Sequence, residues 1–173
     1  MQLSNLFGLL PLATAVSGAV LPRDAPPGIY RITVINGTES APVKIGDLYY
    51  GPEISGSIAA RGLDKRDSTG ATGRSFPNHD DYNSCTNTWR NLLQGGGKFE
   101  GKTKYVVRSG VAELVGCNYN DFQFAPPTPT VDQFNGIMDN VAGSWNTGWV
   151  HSDPYDWTFW RDITGSVNYC SNL

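Results

Sequence analysis

Apolar side chains recur at helical spacing in two stretches of the chain. Residues 80–94 place them three or four positions apart, which is typical of the buried face of an amphipathic helix. These positions are Tyr82, Cys85, Trp89, Leu92 and Leu93. Three glycines at residues 95–97 predict where that helix ends. Residues 130–133 read Thr-Val-Asp-Gln, the form of a capping box, and predict the start of a second helix. Its apolar face carries Phe134, Ile137, Met138 and Val141.

Other stretches have the composition and alternation of β-strands. Residues 103–108 and 111–117 flank a Ser109-Gly110 turn and predict a hairpin. Residues 157–160 and 163–170 alternate as strands do, and residues 29–35 form a shorter β-like run. Helices and strands do not alternate regularly along the chain. This order predicts an α+β fold, a small antiparallel sheet with two helices packed on one face.

The amino-terminal pattern is that of a secretory signal. Residues 3–16 are mostly apolar and residues 13–19 are small, so residues 1–18 are predicted to be a signal peptide. No later segment approaches the ~20 apolar residues that a membrane-spanning helix requires. The sequence therefore predicts a secreted, extracellular protein without a membrane span.

The dibasic pair Lys65-Arg66 predicts proteolytic processing in the secretory pathway. It separates a leader without cysteine from a part that holds all three cysteines and all five tryptophans. We expect a pro-segment at residues 19–66 and a mature effector-like domain at residues 67–173. Two interpretations of the pro-segment are open: its β-like run pairs transiently with the mature domain, or the segment is a solvated spacer.

Charge and cysteine content limit the classes of partner and ligand that the protein is expected to bind. After residue 66 the chain has seven Lys plus Arg against eleven Asp plus Glu, which argues against nucleic acid and anionic lipid as partners. Cys85, Cys117 and Cys170 allow three pairings, and each leaves one thiol to be buried, capped or joined to another chain. No Cys-x-x-Cys occurs, and His79 and His151 lack ligand-like spacing to the cysteines. We predict no metal and no cofactor.

Five short motifs together resemble the secreted fungal necrosis-inducing effector domain. They are Cys85 at a helix start, Gly95-Gly96-Gly97-Lys98-Phe99, Gly116-Cys117, the amphipathic residues 131–139, and a Gly165 to Cys170 ending. The resemblance implies a fold similar to the α+β sandwich of small fungal killer toxins, and a role in virulence or host cell death. It also implies a Cys85–Cys117 disulfide, which leaves Cys170 unpaired and able to link a dimer. The chain lacks that family's usual fourth cysteine, and its aromatic insert at residues 145–160 is longer than expected.

Tryptophans in the last third of the mature region are the candidate binding surface, at Trp145, Trp149, Trp157 and Trp160. Strand alternation directs Trp157 and Trp160 to opposite faces, so that one can fill the core while the other is exposed. Exposed indoles suit a glycan or protein target. The alternative is that all these rings pack under a long loop.

No catalytic residues are predicted. His151-Ser152-Asp153 has the residue types of a hydrolase triad, but adjacent residues cannot converge as a triad does, and a polar loop is expected. A ribonuclease-like set could be drawn from Glu100, Glu113, Arg108, His79 and His151. Salt-bridged surface strands explain Arg108 and Glu113 more simply.

The leading prediction is therefore a secreted effector or toxin-like protein that acts by extracellular binding. The alternatives are a small secreted hydrolase or ribonuclease, and an antimicrobial protein directed at competing microbes. The antimicrobial alternative usually comes with a basic surface and more disulfides than this chain has.

Overall fold

A computed structural model describes residues 20–52, 67–126, 130–165 and 169–170. They form an eight-stranded antiparallel sheet with two helices packed against it, which confirms the predicted α+β class. The strands are β1 (Gly28–Ile35), β2 (Thr38–Glu39), β3 (Val43–Gly46), β4 (Ser68–Ser75), β5 (Thr103–Ser109), β6 (Ala112–Asn118), β7 (Asn146–Ser152) and β8 (Trp157–Ile163). The helices are α1 (His79–Gln94) and α2 (Thr130–Ala142).

The sheet runs in the order β2-β1-β5-β6-β8-β7-β4, with β3 also paired to β1. The predicted hairpin, β5 and β6, lies in the middle of the sheet. Every residue of these two strands is buried. Strand β4 closes one edge by pairing with β7. The other edge is built by residues that precede the dibasic pair.

Helix α1 begins and ends on local signals. The Asn78 side chain accepts a hydrogen bond from the Asp80 amide, and Asp80 and Asp81 lie in the first turn, where the helix dipole favours negative charge. At the other end the Gly95 amide donates to the Asn91 carbonyl. Gly96 adopts a left-handed φ of 70°, which glycine allows at no steric cost. The three glycines are thus the helix stop that the sequence predicts.

Strand alternation divides the apolar side chains between two cores. The main core lies between the sheet and the helices and includes Trp89, Leu114 and Phe159. The second core lies on the opposite face and includes Val106 and Val115. Leu114 and Val115 are neighbours on β6, and the period of two turns them to opposite sides. We call the side of the sheet that neither α1 nor α2 covers the helix-free face.

The amino-terminal β-like run is an internal strand of this sheet. β1 pairs with β5 from Gly28↔Arg108 to Thr33↔Thr103, while β2 and β3 pair with its other edge. Of the two interpretations of the leader, the structure shows strand pairing. The processing site at Lys65 and Arg66 lies outside the described residues, so cleavage there, and the domain boundary that it defines, stay predictions.

The disulfide that the family resemblance implied is wrong. The structure joins Cys117 to Cys170 and leaves Cys85 as a buried thiol. The reason is strand alternation: Cys117 lies in the core of the helix-free face, whereas Cys85, on α1, lies in the main core. Because Cys170 is bonded within the chain, it is neither the unpaired thiol nor the basis of a disulfide-linked dimer. Burial raises the pKa of the Cys85 thiol well above its ordinary range.

Three segments differ from their prediction. β4, with the sequence Ser-Thr-Gly-Ala-Thr-Gly-Arg-Ser, was not predicted as a strand because it has no apolar alternation. His151 and Ser152 end β7, where a polar loop was expected. The predicted strand over residues 163–170 is not seen in the described part, since β8 ends at Ile163 and a turn follows at Thr164 and Gly165. Residues 166–168 lie outside the described residues.

Candidate functional site

The four tryptophans predicted as a binding surface occupy three different places. Trp157 is 2% exposed and belongs to the main core, so its assignment to a surface is wrong. Trp145 is half-buried on the helix side, where its ring stacks on His79 at 3.9 Å between centroids and meets the edge of Tyr82 at 5.4 Å. Only Trp149 and Trp160 lie together.

Trp149 and Trp160 form a pair on the helix-free face. They are directly opposed in the β7–β8 ladder, their ring centroids are 5.7 Å apart, and both side chains are half-buried. Trp149 lies over Gly70 of the neighbouring strand β4, because a Cβ on Gly70 would come within 2.4 Å of the indole nitrogen. The absence of a side chain at Gly70 therefore provides the room that the indole occupies.

His151 and Tyr119 continue the same surface. His151 lies two residues beyond Trp149 on β7, and its Nδ1 is 2.8 Å from the Thr158 hydroxyl. Its Nε2 lies 3.3 Å from an Asp153 carboxylate oxygen. The ring of Tyr119 meets the imidazole edge-on at 5.7 Å, and burial raises the pKa of this tyrosine. We call Trp149, Trp160, His151 and Tyr119 the aromatic strip.

A row of four charged side chains, three of them buried, crosses the helix-free face beside the aromatic strip. Arg74 on β4 donates to both carboxylate oxygens of Asp162 on β8, at 2.7 and 2.9 Å. Asp162 is directly opposed to Glu113 on β6, and Glu113 to Arg108 on β5, with Arg108 Nε 3.8 Å from the glutamate. From β4 to β5 the order is cation, carboxylate, carboxylate, cation, and the formal charges of the row cancel.

The buried end of this charge row, Glu113 and Arg108, is covered rather than open to substrate. Tyr169 donates to Glu113 Oε2 at 3.0 Å, and Arg108 donates to the backbone carbonyls of Pro22 and Arg23. Glu113 and Arg108 are each 1% exposed or less. Burial raises the pKa of Glu113, although the Tyr169 hydrogen bond and the Arg108 charge oppose the shift. Paired charges in a packed interior hold strands in register. The sequence predicts such a structural role for Arg108 and Glu113 at the surface, whereas the structure buries the pair.

The groups of the ribonuclease-like set do not converge. Glu100 is exposed and pairs with Arg31 at 2.7 Å, outside the charge row. His79 lies on the helix side under Trp145. Within His151-Ser152-Asp153, the histidine contacts the aspartate, but Ser152 is buried and alternates to the other face of β7.

The described ranges of the chain contain no group of three or more His, Cys, Asp or Glu side chains placed to hold a metal ion. No helix in them is long and apolar enough to cross a membrane.

The sequence prediction missed His151, Tyr119 and Gly70 as parts of one surface. Alternation along residues 146–152 is the signal that places Trp149 and His151 on one face. The other two neighbours, Gly70 on β4 and Tyr119 directly after β6, are brought to this surface by the strand order, which the alternation does not reveal.

Comparison with known proteins gives no relative from which a role could be transferred. No protein-family model, no curated protein and no solved structure matches the chain. The resemblance to the necrosis-inducing effector domain therefore stays a prediction.

Proposed function

We propose that the protein is a secreted, effector-like or toxin-like protein of fungal type that acts outside the producing cell by binding a glycan through the aromatic strip. Secretion is supported by the apolar residues 3–16 and the dibasic Lys65-Arg66. A contribution to virulence or to host cell death follows from the family resemblance alone.

The observation that carries the proposal is the half-buried pair Trp149 and Trp160 on the helix-free face. Two indoles 5.7 Å apart on a sheet make a broad, rigid apolar surface. The C–H face of a sugar ring packs on such a surface, and an indole already fixed by its neighbours loses little conformational entropy on binding. Trp149 is fixed over Gly70, and Trp160 packs against Tyr169 at 5.7 Å between centroids.

The surroundings of the strip favour a glycan over a protein or a nucleic acid. His151 and the exposed Asp153 and Ser68 lie at one end of the strip and can exchange hydrogen bonds with sugar hydroxyls. A protein-binding hot spot is instead centred on a desolvated apolar pocket. The net charge of −3 does not attract a phosphate backbone.

A glycan array followed by titration of the selected oligosaccharide tests this proposal. We expect Trp149→Ala and Trp160→Ala each to weaken binding about 30-fold, because truncation of an anchoring aromatic costs about 2 kcal/mol. Trp145→Ala is the matched control, since it removes another half-buried indole, from the helix side, and it should leave affinity unchanged.

Thermal unfolding of each variant establishes that the fold is retained before affinities are compared. Equal affinity of the two strip variants and the parent would refute the assignment of the surface. Selection of a protein ligand, with no glycan bound at millimolar concentration, would refute the proposed target.

A further inference from the structure

We propose that residues 20–52 are a permanent subunit of the mature protein: when the chain is cut at Lys65-Arg66, this segment stays bound without a covalent link. The mature form is then two chains that share one sheet. This inference is independent of glycan binding and concerns only the fate of the leader.

Backbone pairing is the first reason for retention. β1 supplies the partner for β5 over six residue pairs, from Gly28↔Arg108 to Thr33↔Thr103. All residues of β5 are buried. Departure of β1 would leave a row of N–H and C=O groups on β5 without partners, which is the exposed edge that folded proteins avoid.

Apolar contacts hold the segment on both sides of the sheet. Leu21, Tyr30 and Ile32 are part of the core on the helix-free face. Ile29 and Leu48 belong to the main core under the helices. A segment that is buried on both faces cannot leave without opening both cores.

Polar contacts fix the same segment at buried charges. Arg108, 1% exposed, donates to the carbonyls of Pro22 and, at 2.6 Å, of Arg23. Lys104, also 1% exposed, pairs with Glu39, and burial lowers the pKa of this lysine. Loss of the segment would take these oxygens away from two buried cations, which is costly because removing one partner of a buried charge is strongly destabilising.

Covalent bonds play no part in this association. Residues 1–66 contain no cysteine, and the disulfide joins Cys117 to Cys170 within the later part. Retention after cleavage therefore measures the non-covalent contacts directly.

The test is controlled cleavage of the full chain. A factor Xa recognition sequence inserted between Gly62 and Leu63 makes the cut independent of the native processing enzyme. After cleavage, native mass spectrometry and size exclusion at micromolar concentration should show both pieces in one complex. Separation of the amino-terminal piece would overturn the proposal, whether the remainder stays folded or unfolds.

Two isoleucines of β1 provide a matched pair. Ile32 is 1% exposed and Ile35 is 65% exposed. The readout is exchange of the bound piece against a fluorescent synthetic peptide spanning residues 20–52. We expect Ile32→Ala to speed exchange about 30-fold or more, which corresponds to about 2 kcal/mol, and Ile35→Ala to change it less than about threefold.

If Ile32→Ala does not fold, Ile32→Val replaces it, with an expected acceleration of about two- to tenfold. Equal exchange rates for the variants at positions 32 and 35 would show that the segment is not held by this core, and would overturn the proposal.

Discussion

Removal of Cys170 distinguishes the disulfide of the structure from the one that the family resemblance implied. The bond to Cys117 spans a sequence separation of 53 residues. The loop-entropy relation gives about 4 kcal/mol of stabilisation at 25 °C for a closed loop of that length. Cys170→Ala should therefore lower the free energy of unfolding by about 4 kcal/mol.

Cys85→Ala is the matched control. The Cys85 thiol is buried and donates to the Val107 carbonyl at 3.4 Å, but it closes no loop. We expect a loss of about 1 kcal/mol, the typical effect of a single substitution. Urea unfolding followed by tryptophan fluorescence, extrapolated linearly to water, gives both values.

Alkylation in urea without reductant provides an independent count of thiols. The parent chain should show one alkylated cysteine, Cys170→Ala two and Cys85→Ala none. The reverse thermodynamic order, with about 4 kcal/mol lost at Cys85 and about 1 kcal/mol at Cys170, would refute the argument from strand alternation. That order would instead support a Cys85–Cys117 disulfide.

Two other predictions concern the packed interior. Gly116→Ala should lower the free energy of unfolding by about 1–3 kcal/mol, because its Cβ would lie 2.4 Å from Trp157 and 2.7 Å from Trp89. Gly95→Ala is the control: its Cβ would have its nearest contact at 3.4 Å, so the same urea experiment should show little loss. The stability of Glu113→Gln relative to the parent should increase as the pH rises above 4.5, the ordinary pKa of a glutamate. The raised pKa of Glu113 stabilises the folded parent fully below pH 4.5, and this stabilisation is lost as the pH rises through the raised pKa. Equal losses of stability in Gly116→Ala and Gly95→Ala would contradict the first prediction. Parallel curves of stability against pH for Glu113→Gln and the parent would contradict the second.

The helices and the central hairpin could be predicted because their patterns are local. Residues 80–94 and 130–141 bury one face of a helix each, and residues 103–117 form two β-prone runs around one turn. β4 could not, since its small and polar residues gain a strand conformation only from pairing with β7. Tertiary pairing decides such a segment, and local propensity does not.

The position of β1 was also beyond the sequence pattern. Its β-like run was recognised, but its neighbour in the sheet is β5, which is far away in the chain. In the candidate site, too, the local pattern predicts some features, and others depend on strand pairing. Alternation along β8 correctly separated Trp157 from Trp160, which the structure confirms. The contact of Trp160 with Trp149 depends on the β7–β8 register, and the position of Trp149 depends on Gly70 of the neighbouring strand β4.

Hydrogen–deuterium exchange of the intact chain tests most directly the claim that the amino-terminal segment is part of the folded sheet. Peptides that cover β1 and the central strand β6 are compared after seconds to hours of labelling. β1 is paired along both edges, so we predict that its amides are protected for as long as those of β6, to within about tenfold in rate. Complete exchange of β1 within seconds, beside a protected β6, would contradict the account.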